Sequence, residues 1–450
     1  MKKSTLALAV AVAAIAQQAH SAGFVEDSKA TLGLRNFYIN TDNRDGAPGT
    51  TTRSKNAEWG QGFDLRFISG FTQGTVQFGV DAIGLYGVRL DSSRANHGNY
   101  SGTASGGTVF PSDGNTAVND FASLGVTGKV KISQTVLKLG TLQPNNPVIK
   151  FNDGRLLPQT FQGGEIVSND IKDLTLTAGQ IDSVKGRNSS NNENLSIAGA
   201  NNSSNYDTGK FSNKFYYAGA DYKITKDLTA SFYHGELKEF YSQNFLGLVH
   251  NWAIGPGVLK SDLRYYRSRD NGANGDTAGY YTTGYYSDHP TTATKTRGKV
   301  DNDLYSYLAL YSVNGHTFGG GYQYTKGDSD FPWLNQGDGS SNSTTTDMQI
   351  QKFARAGERT WQARYAYDFA KVGVPGLTAG VVYLRGDNIN TTIGDKTEWE
   401  RDLTLAYVVP EGPLKNLGVA WKNAMWRTDL ANTRSQDENR LIVSYSIPLL

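Results

Sequence analysis

Short alternating segments recur along the whole chain, and tight turns alternate with long polar loops between them. Tight connections stand at Thr72-Gln73-Gly74, Ser133-Gln134, Thr225-Lys226-Asp227, Gly255-Pro256-Gly257, Asn314-Gly315 and Glu411-Gly412-Pro413, with further turns at 169–173 and 373–376. Long polar stretches fill residues 41–58, 91–119, 185–213, 269–302, 327–357 and 388–396. In an antiparallel meander successive connections lie at opposite ends, so this order gathers the long loops at one end. A soluble sandwich has no reason to sort its connections that way. A transmembrane barrel does, because its turns face the periplasm and its loops face outside. Counting the segments gives about eighteen strands, an even number as such barrels require.

The segments carry the required two-faced pattern. Over residues 29–40, Ala30, Leu32 and Leu34 alternate with Thr31, Gly33, Arg35 and Phe37; over 59–71, Phe63, Leu65, Phe67 and Phe71 alternate with Asp64, Arg66, Ile68 and Gly70. Period-2 alternation is the strand signal. The faces expected toward lipid are aromatic and aliphatic: Trp361, Ala363, Tyr365, Tyr367 and Phe369; Leu403, Leu405, Tyr407 and Val409; Leu441, Val443, Tyr445 and Ile447. A cation on such a face near the bilayer midplane costs about 2–4 kcal/mol, so the parity of Arg364 and Arg440 places both in the lumen. A mean hydropathy of −0.48 is compatible with this, since only alternate residues meet lipid.

Residues 1–21 read as a secretory signal. Lys2 and Lys3 precede an apolar run over residues 6–16, and Ala19-His20-Ser21 supplies a small-residue cleavage site. No later apolar run approaches the roughly 18 residues of a spanning helix. Loss of Lys2 and Lys3 lowers Lys plus Arg from 44 to 42, equal to the 42 Asp plus Glu. A neutral mature chain offers no bulk attraction to nucleic acid, so selectivity must come from where its charges sit. The absence of cysteine excludes disulfides and thiolate metal sites. The six His show no metal-ligand spacing and no hydrolase motif, and nothing calls for a cofactor.

The stretch from Lys129 to Gly164 carries the functional reading. Lys129, Lys131 and Lys138 share the inner faces of a hairpin, and Gln143-Pro144-Asn145-Asn146-Pro147 forbids further pairing. The loop that follows, about 143–168, contains Lys150, Asp153 and Arg155 and is expected to fold into the bore, with Asp153 a candidate partner for Arg155. By parity the inward cations are Arg35, Arg66, Lys129, Lys131, Lys138, Arg264, Arg364, Lys422 and Arg440, joined by Arg155 from the loop. An arginine keeps its charge and matches a carboxylate with a planar fork. At about 5 Å and an effective dielectric near 20, each pair contributes roughly 3 kcal/mol, enough to select an anion without trapping it. The same faces carry Asp64, Asp81 and Asp368, so lumen-filling ion pairs are an open alternative for any single cation.

Leu142-Gln143-Pro144 and Arg155-Leu156-Leu157-Pro158-Gln159-Thr160-Phe161 resemble the constricting third loop of OprD-family outer-membrane carboxylate channels. Leu34-Arg35-Asn36-Phe37-Tyr38, Gly70-Phe71-Thr72-Gln73-Gly74, Trp361-Gln362-Ala363-Arg364-Tyr365 and Gly373-Val374-Pro375-Gly376 extend the likeness over the whole mature chain. The resemblance implies an all-β, 18-stranded antiparallel barrel spanning 22–450, with long extracellular loops and an infolded third loop. It also implies an outer-membrane setting in a Gram-negative bacterium, lipid and lipopolysaccharide as surroundings, and weak homotrimers in some members. By motif position, Arg155, Lys422 and Arg440 match the family's basic ladder, which Ala406 and Ala420 shorten here. Asn145, Asn146, Lys150, Asp153, Arg155 and Lys352 fall at the constriction. Ile350-Gln351-Lys352 stands where basic-amino-acid channels carry Tyr-x-Asp; without that acid, OccK-like simple or aromatic carboxylates are the expected substrates. The contrasting readings are a barrel hydrolase, which needs a convergent nucleophile and base, and a plugged receptor, which needs a folded N-terminal plug.

Overall fold

The computed structural model describes residues 23–44, 54–97, 108–114, 116–198, 211–276, 300–335, 343–391, 393–431 and 433–450. The proposed signal, residues 1–21, lies outside them. Eighteen strands form one antiparallel sheet closed on itself. They are β1 (Lys29–Asn43), β2 (Lys55–Ile68), β3 (Val76–Asp91), β4 (Asp120–Ile132), β5 (Thr135–Leu142) and β6 (Thr160–Ser168). β7 (Leu174–Lys185), β8 (Phe215–Lys223), β9 (Leu228–Leu237), β10 (Tyr241–Ile254), β11 (Gly257–Asp270) and β12 (Asp301–Val313) follow. The wall is completed by β13 (His316–Gly327), β14 (Arg359–Asp368), β15 (Leu377–Ile389), β16 (Lys396–Val408), β17 (Gly418–Thr428) and β18 (Gln436–Pro448). Each strand pairs with the next, and β18 pairs with β1 from Thr31↔Pro448 to Asn43↔Gln436.

Closure removes every sheet edge, so the wall's backbone groups are paired within the protein, as hydrocarbon demands. The outer surface exposes Leu65, Leu124, Leu246 and Leu263 together with Trp59, Trp252, Phe318, Trp361 and Trp421. Arg364 sits across from Val382, and Arg440 across from the buried Ile39; both point inward, as their parity requires.

Four boundaries differ from the sequence reading. β1 runs to Asn43 and β2 starts at Lys55, so the first hairpin climbs beyond the apolar band. Polar side chains do not stop it, because pairing above the membrane uses only backbone groups. Phe71 lies past the end of β2, and its ring sits under the Lys129 and Lys131 ammonium groups at 4.8 and 5.6 Å instead of facing lipid. Phe369 opens a short 3-10 turn, Phe369–Val372, capped by the Asp368 carboxylate on Ala370 N at 2.9 Å.

The buried apolar residues lie inside the upper barrel, between wall and infolded loops. One cluster joins Val148 and Ile149 of the third loop to Phe215, Phe245 and Tyr266 of the wall. A second joins Leu156 and Leu157 to Phe37, Ile39 and Phe110.

Candidate functional site: two loops across the bore

β5 and β6 are among the shortest barrel strands, at 8 and 9 residues, because the chain leaves the wall early to cross the lumen. Pro144 and Pro147 supply no ladder donors. Asn146 Oδ1 accepts from Val148 N and Ile149 N at 3.2 and 3.1 Å, making a tight tip between the short paired segments Asn145–Asn146 and Ile149–Lys150. Wall glycines give the loop room. A Cβ on Gly62 in β2 would stand 2.9 Å from the Leu156 carbonyl oxygen, and one on Gly235 in β9 would stand 2.8 Å from Val148 Cβ. The third loop therefore touches both β2 and β9 and bridges the bore.

The seventh loop, between β13 and β14, also turns inward. Its segment Trp333–Asn335 pairs with Ser196–Ala198 of the fourth loop. Its residues 349–351 hang from carboxylates on β16: Gln349 N donates to Asp402 Oδ2 at 3.2 Å, and Ile350 N and Gln351 N donate to the two Glu400 oxygens at 2.8 Å. Glu398 receives Arg355 Nε at 3.0 Å and Trp426 Nε1 at 2.8 Å. The two loops meet where Ser343 Oγ donates to Asn146 O at 3.2 Å.

The arginines between the loops are engaged. Arg35 forms a fork on Asp153 at 2.6 and 3.1 Å and also donates to Arg155 O at 2.7 Å. Arg440 binds Glu438 at 2.6 Å and Gln349 O at 2.8 Å. Arg264 forms a fork on Asp262 at 2.8 and 2.7 Å and donates to Ser343 O. Arg364 donates to Gln362 Oε1 at 2.7 Å and Thr345 O at 2.5 Å. Guanidinium groups thus hold loop carbonyls while still lining the passage. Lys422 stands beside Arg440 in the register, within the electrostatic reach of Arg35 and Arg440.

The other candidate residues are placed differently. Asp153 pairs with Arg35 and not with Arg155, whose Nη1 turns to the second loop and donates to Thr108 O. Lys129 is buried at the turn end, bound to Asp81 at 2.6 Å and to Ser69 O at 3.0 Å, away from the loops. Lys131 lies beside it over Phe71. Lys138 faces Glu165 across the β5–β6 ladder. Arg66 forms a fork on Asp64 at 2.8 to 3.0 Å. Lys352 is occupied within its own loop, 3.1 Å from Asp347 and over the Trp333 ring.

Two groups escape the sequence reading. The carboxylates Glu398, Glu400 and Asp402 alternate along β16 opposite the outward Leu403 and Leu405, a parity visible in the sequence, but nothing there says that they bind a loop backbone. Lys260 shares its face with Arg264, four residues on, by the same parity. It lines a cavity of about 500 Å³ with Lys150, Asp262, Arg264, Asp347 and Arg364. A smaller cavity of about 240 Å³ lies below the third loop, between Arg35, Asp64 and Leu156.

The profile of a family described as outer membrane porin, OprD family, matches residues 22–449. The chain is 34% identical to the porin-like protein GalP of Pseudomonas putida, over 99% of this chain and 97% of that protein. Among solved structures it is similar to OccK8 (OprE) of Pseudomonas aeruginosa, with 57% identity and a TM-score of 0.84, covering 95% of this chain and all of that one. OpdK of Pseudomonas aeruginosa, solved with vanillate, matches at 36% identity and a TM-score of 0.80, covering 95% of this chain and 100% of that chain.

Proposed function

The chain belongs to the OprD family of outer-membrane porins and is a substrate-selective channel, and from that premise we propose that its substrates are small carboxylates drawn past Arg35, Lys422 and Arg440. The observation that carries the proposal is the placement of these three cations where both loops narrow the bore. Arg35 and Arg440 grip the loops with some of their donors, and Lys422 has no carboxylate within ion-pair distance among the described residues. A passing carboxylate replaces the water on these cations and gives it back on leaving. Binding at each step is weak enough to release, because the arginines already share their charge with Asp153 and Glu438.

Ile350-Gln351-Lys352 carries no acid of its own to meet a substrate ammonium, and the Glu400 and Asp402 carboxylates beside it are taken up by loop N–H groups, which favours simple and aromatic carboxylates over basic amino acids. The vanillate bound by the relative OpdK is an aromatic carboxylate and supports the same class. Residues 1–21 serve as the removed export signal, and each chain carries its own pore. Reversal potentials in planar bilayers under a KCl gradient test the reading. Anion preference that falls in Lys422→Gln and Arg440→Gln is the expected result; cation preference of the unaltered channel rejects it.

A further inference from the structure

We infer that Lys150 and Lys260, with Arg264 and Arg364, form a second anion site across the bore from Arg35, Lys422 and Arg440, suited to the distal carboxylate of a linear dicarboxylate. This rests on the carboxylate reading above and narrows it.

The first observation is position. Arg264 and Lys260 lie on β11, six to eight strands from β17, β18 and β1 in a ring of 18, so these two cations face Lys422, Arg440 and Arg35 across the bore, with Arg364 on β14 standing between the two groups. The second is charge. Four cations and two acids line the 500 Å³ cavity, an excess of two positive charges. Both acids have partners: Asp262 is gripped by Arg264, and Asp347 by Lys352. The two lysines do not. Both are exposed, and no carboxylate lies within ion-pair distance of either among the described residues. Lysine is a compact, strongly hydrated charge on a flexible stem. Here the arginines brace loops, and the lysines remain to meet a solute.

The third observation is reach. The two sites are tied by the same loops. Lys150 is three residues from Asp153, the partner of Arg35, so their Cα atoms are at most about 11 Å apart along an extended chain. Thr345, which accepts from Arg364, is four residues from Gln349, which accepts from Arg440, a span of at most about 14 Å. The flexible stem of Lys150 shortens the first gap to the length of a small dicarboxylate. A monocarboxylate can meet only one group at a time, whereas a dicarboxylate can engage the second before leaving the first.

Single-channel recordings with butyrate and adipate on the full-length protein test this. Lys260→Gln and Lys150→Gln are each expected to weaken adipate block by roughly fivefold, the scale of one lost solvent-exposed ion pair. Butyrate block stays within about twofold of the unaltered channel, while Lys422→Gln weakens both. Lys260→Arg retains adipate block, and heat-modifiable gel mobility confirms that each variant forms a barrel. Equal effects of Lys260→Gln and Lys150→Gln on butyrate and adipate, or no effect on either, overturn the second site while leaving the carboxylate reading intact. An unaltered channel that prefers cations or ignores butyrate overturns the carboxylate reading itself, and the second site with it.

Discussion

The third and seventh loops both cross the same bore, but their anchors differ in kind. The third is held mainly by its own side chains: Leu156 and Leu157 are buried against Phe37 and Ile39, and its Asp153 meets a wall arginine. The seventh has side-chain anchors as well, in Arg355 on Glu398 and the buried Phe353 against Leu384 and Trp426, but it adds a backbone strap at residues 349–351, whose N–H groups are collected by wall carboxylates at Glu400 and Asp402. The third loop is a side-chain wedge, and residues 349–351 of the seventh are a suspended strap. The wedge depends on residue identity inside the loop; the strap depends on residue identity on the wall.

Substitutions can separate the two modes. Leu156→Ala removes a fully buried side chain and should loosen the third loop by about 2–5 kcal/mol. Single-channel recordings should show higher conductance and more open-state noise; an unchanged trace would deny the wedge. Glu400→Ala orphans the Ile350 and Gln351 N–H groups, at about 1–3 kcal/mol each. It should loosen the seventh loop to a similar or smaller degree, whereas Gln351→Ala leaves the backbone bonds in place and should matter far less. If Gln351→Ala equals Glu400→Ala, the strap description fails. Asp153→Asn breaks a half-exposed ion pair and is expected to cost only about 1 kcal/mol. By freeing Arg35 it should raise anion preference, which reversal potentials can read.

The smallest effect concerns Glu358, at the foot of the strap just outside β14. Burial pushes its carboxyl well above the usual range, with the neighbouring Glu398 adding to the shift. Its folded-state pKa is raised, so its contribution to stability is complete below the ordinary carboxylate value and is lost as pH rises through the folded value. Glu358→Gln should therefore raise the thermal transition in detergent at pH 8 and leave it unchanged at pH 4. A gain in acid alone would reverse the sign and count against the assignment.

The same contrast explains what the sequence disclosed. The barrel was legible because every wall strand needs an apolar outer face and a polar inner one, whatever it encloses. The wedge was legible because Leu156-Leu157-Pro158 lies within the loop it fixes. The strap was not, because Glu400 is 49 residues from Gln351 and a backbone N–H leaves no mark in a sequence. The lumen cations were visible by parity, but their division of labour was not. Arg155 and Lys129 carry the same charge as Lys422, yet one is turned to Thr108 and the other is buried on Asp81. Lys260 belongs to no motif, although Asp262 and Arg264 at alternate positions mark its face.

The seam between β1 and β18 has a consequence for assembly. The partner of Asn43 is Gln436 and that of Thr31 is Pro448, so the opening strand waits for nearly the whole polypeptide before its free side is covered. Throughout export, any partly built sheet offers raw hydrogen-bonding borders to its neighbours. Escort factors in the periplasm must shield those borders until the final strand arrives, and a chain truncated before residue 436 should accumulate as aggregate rather than as a narrower pore.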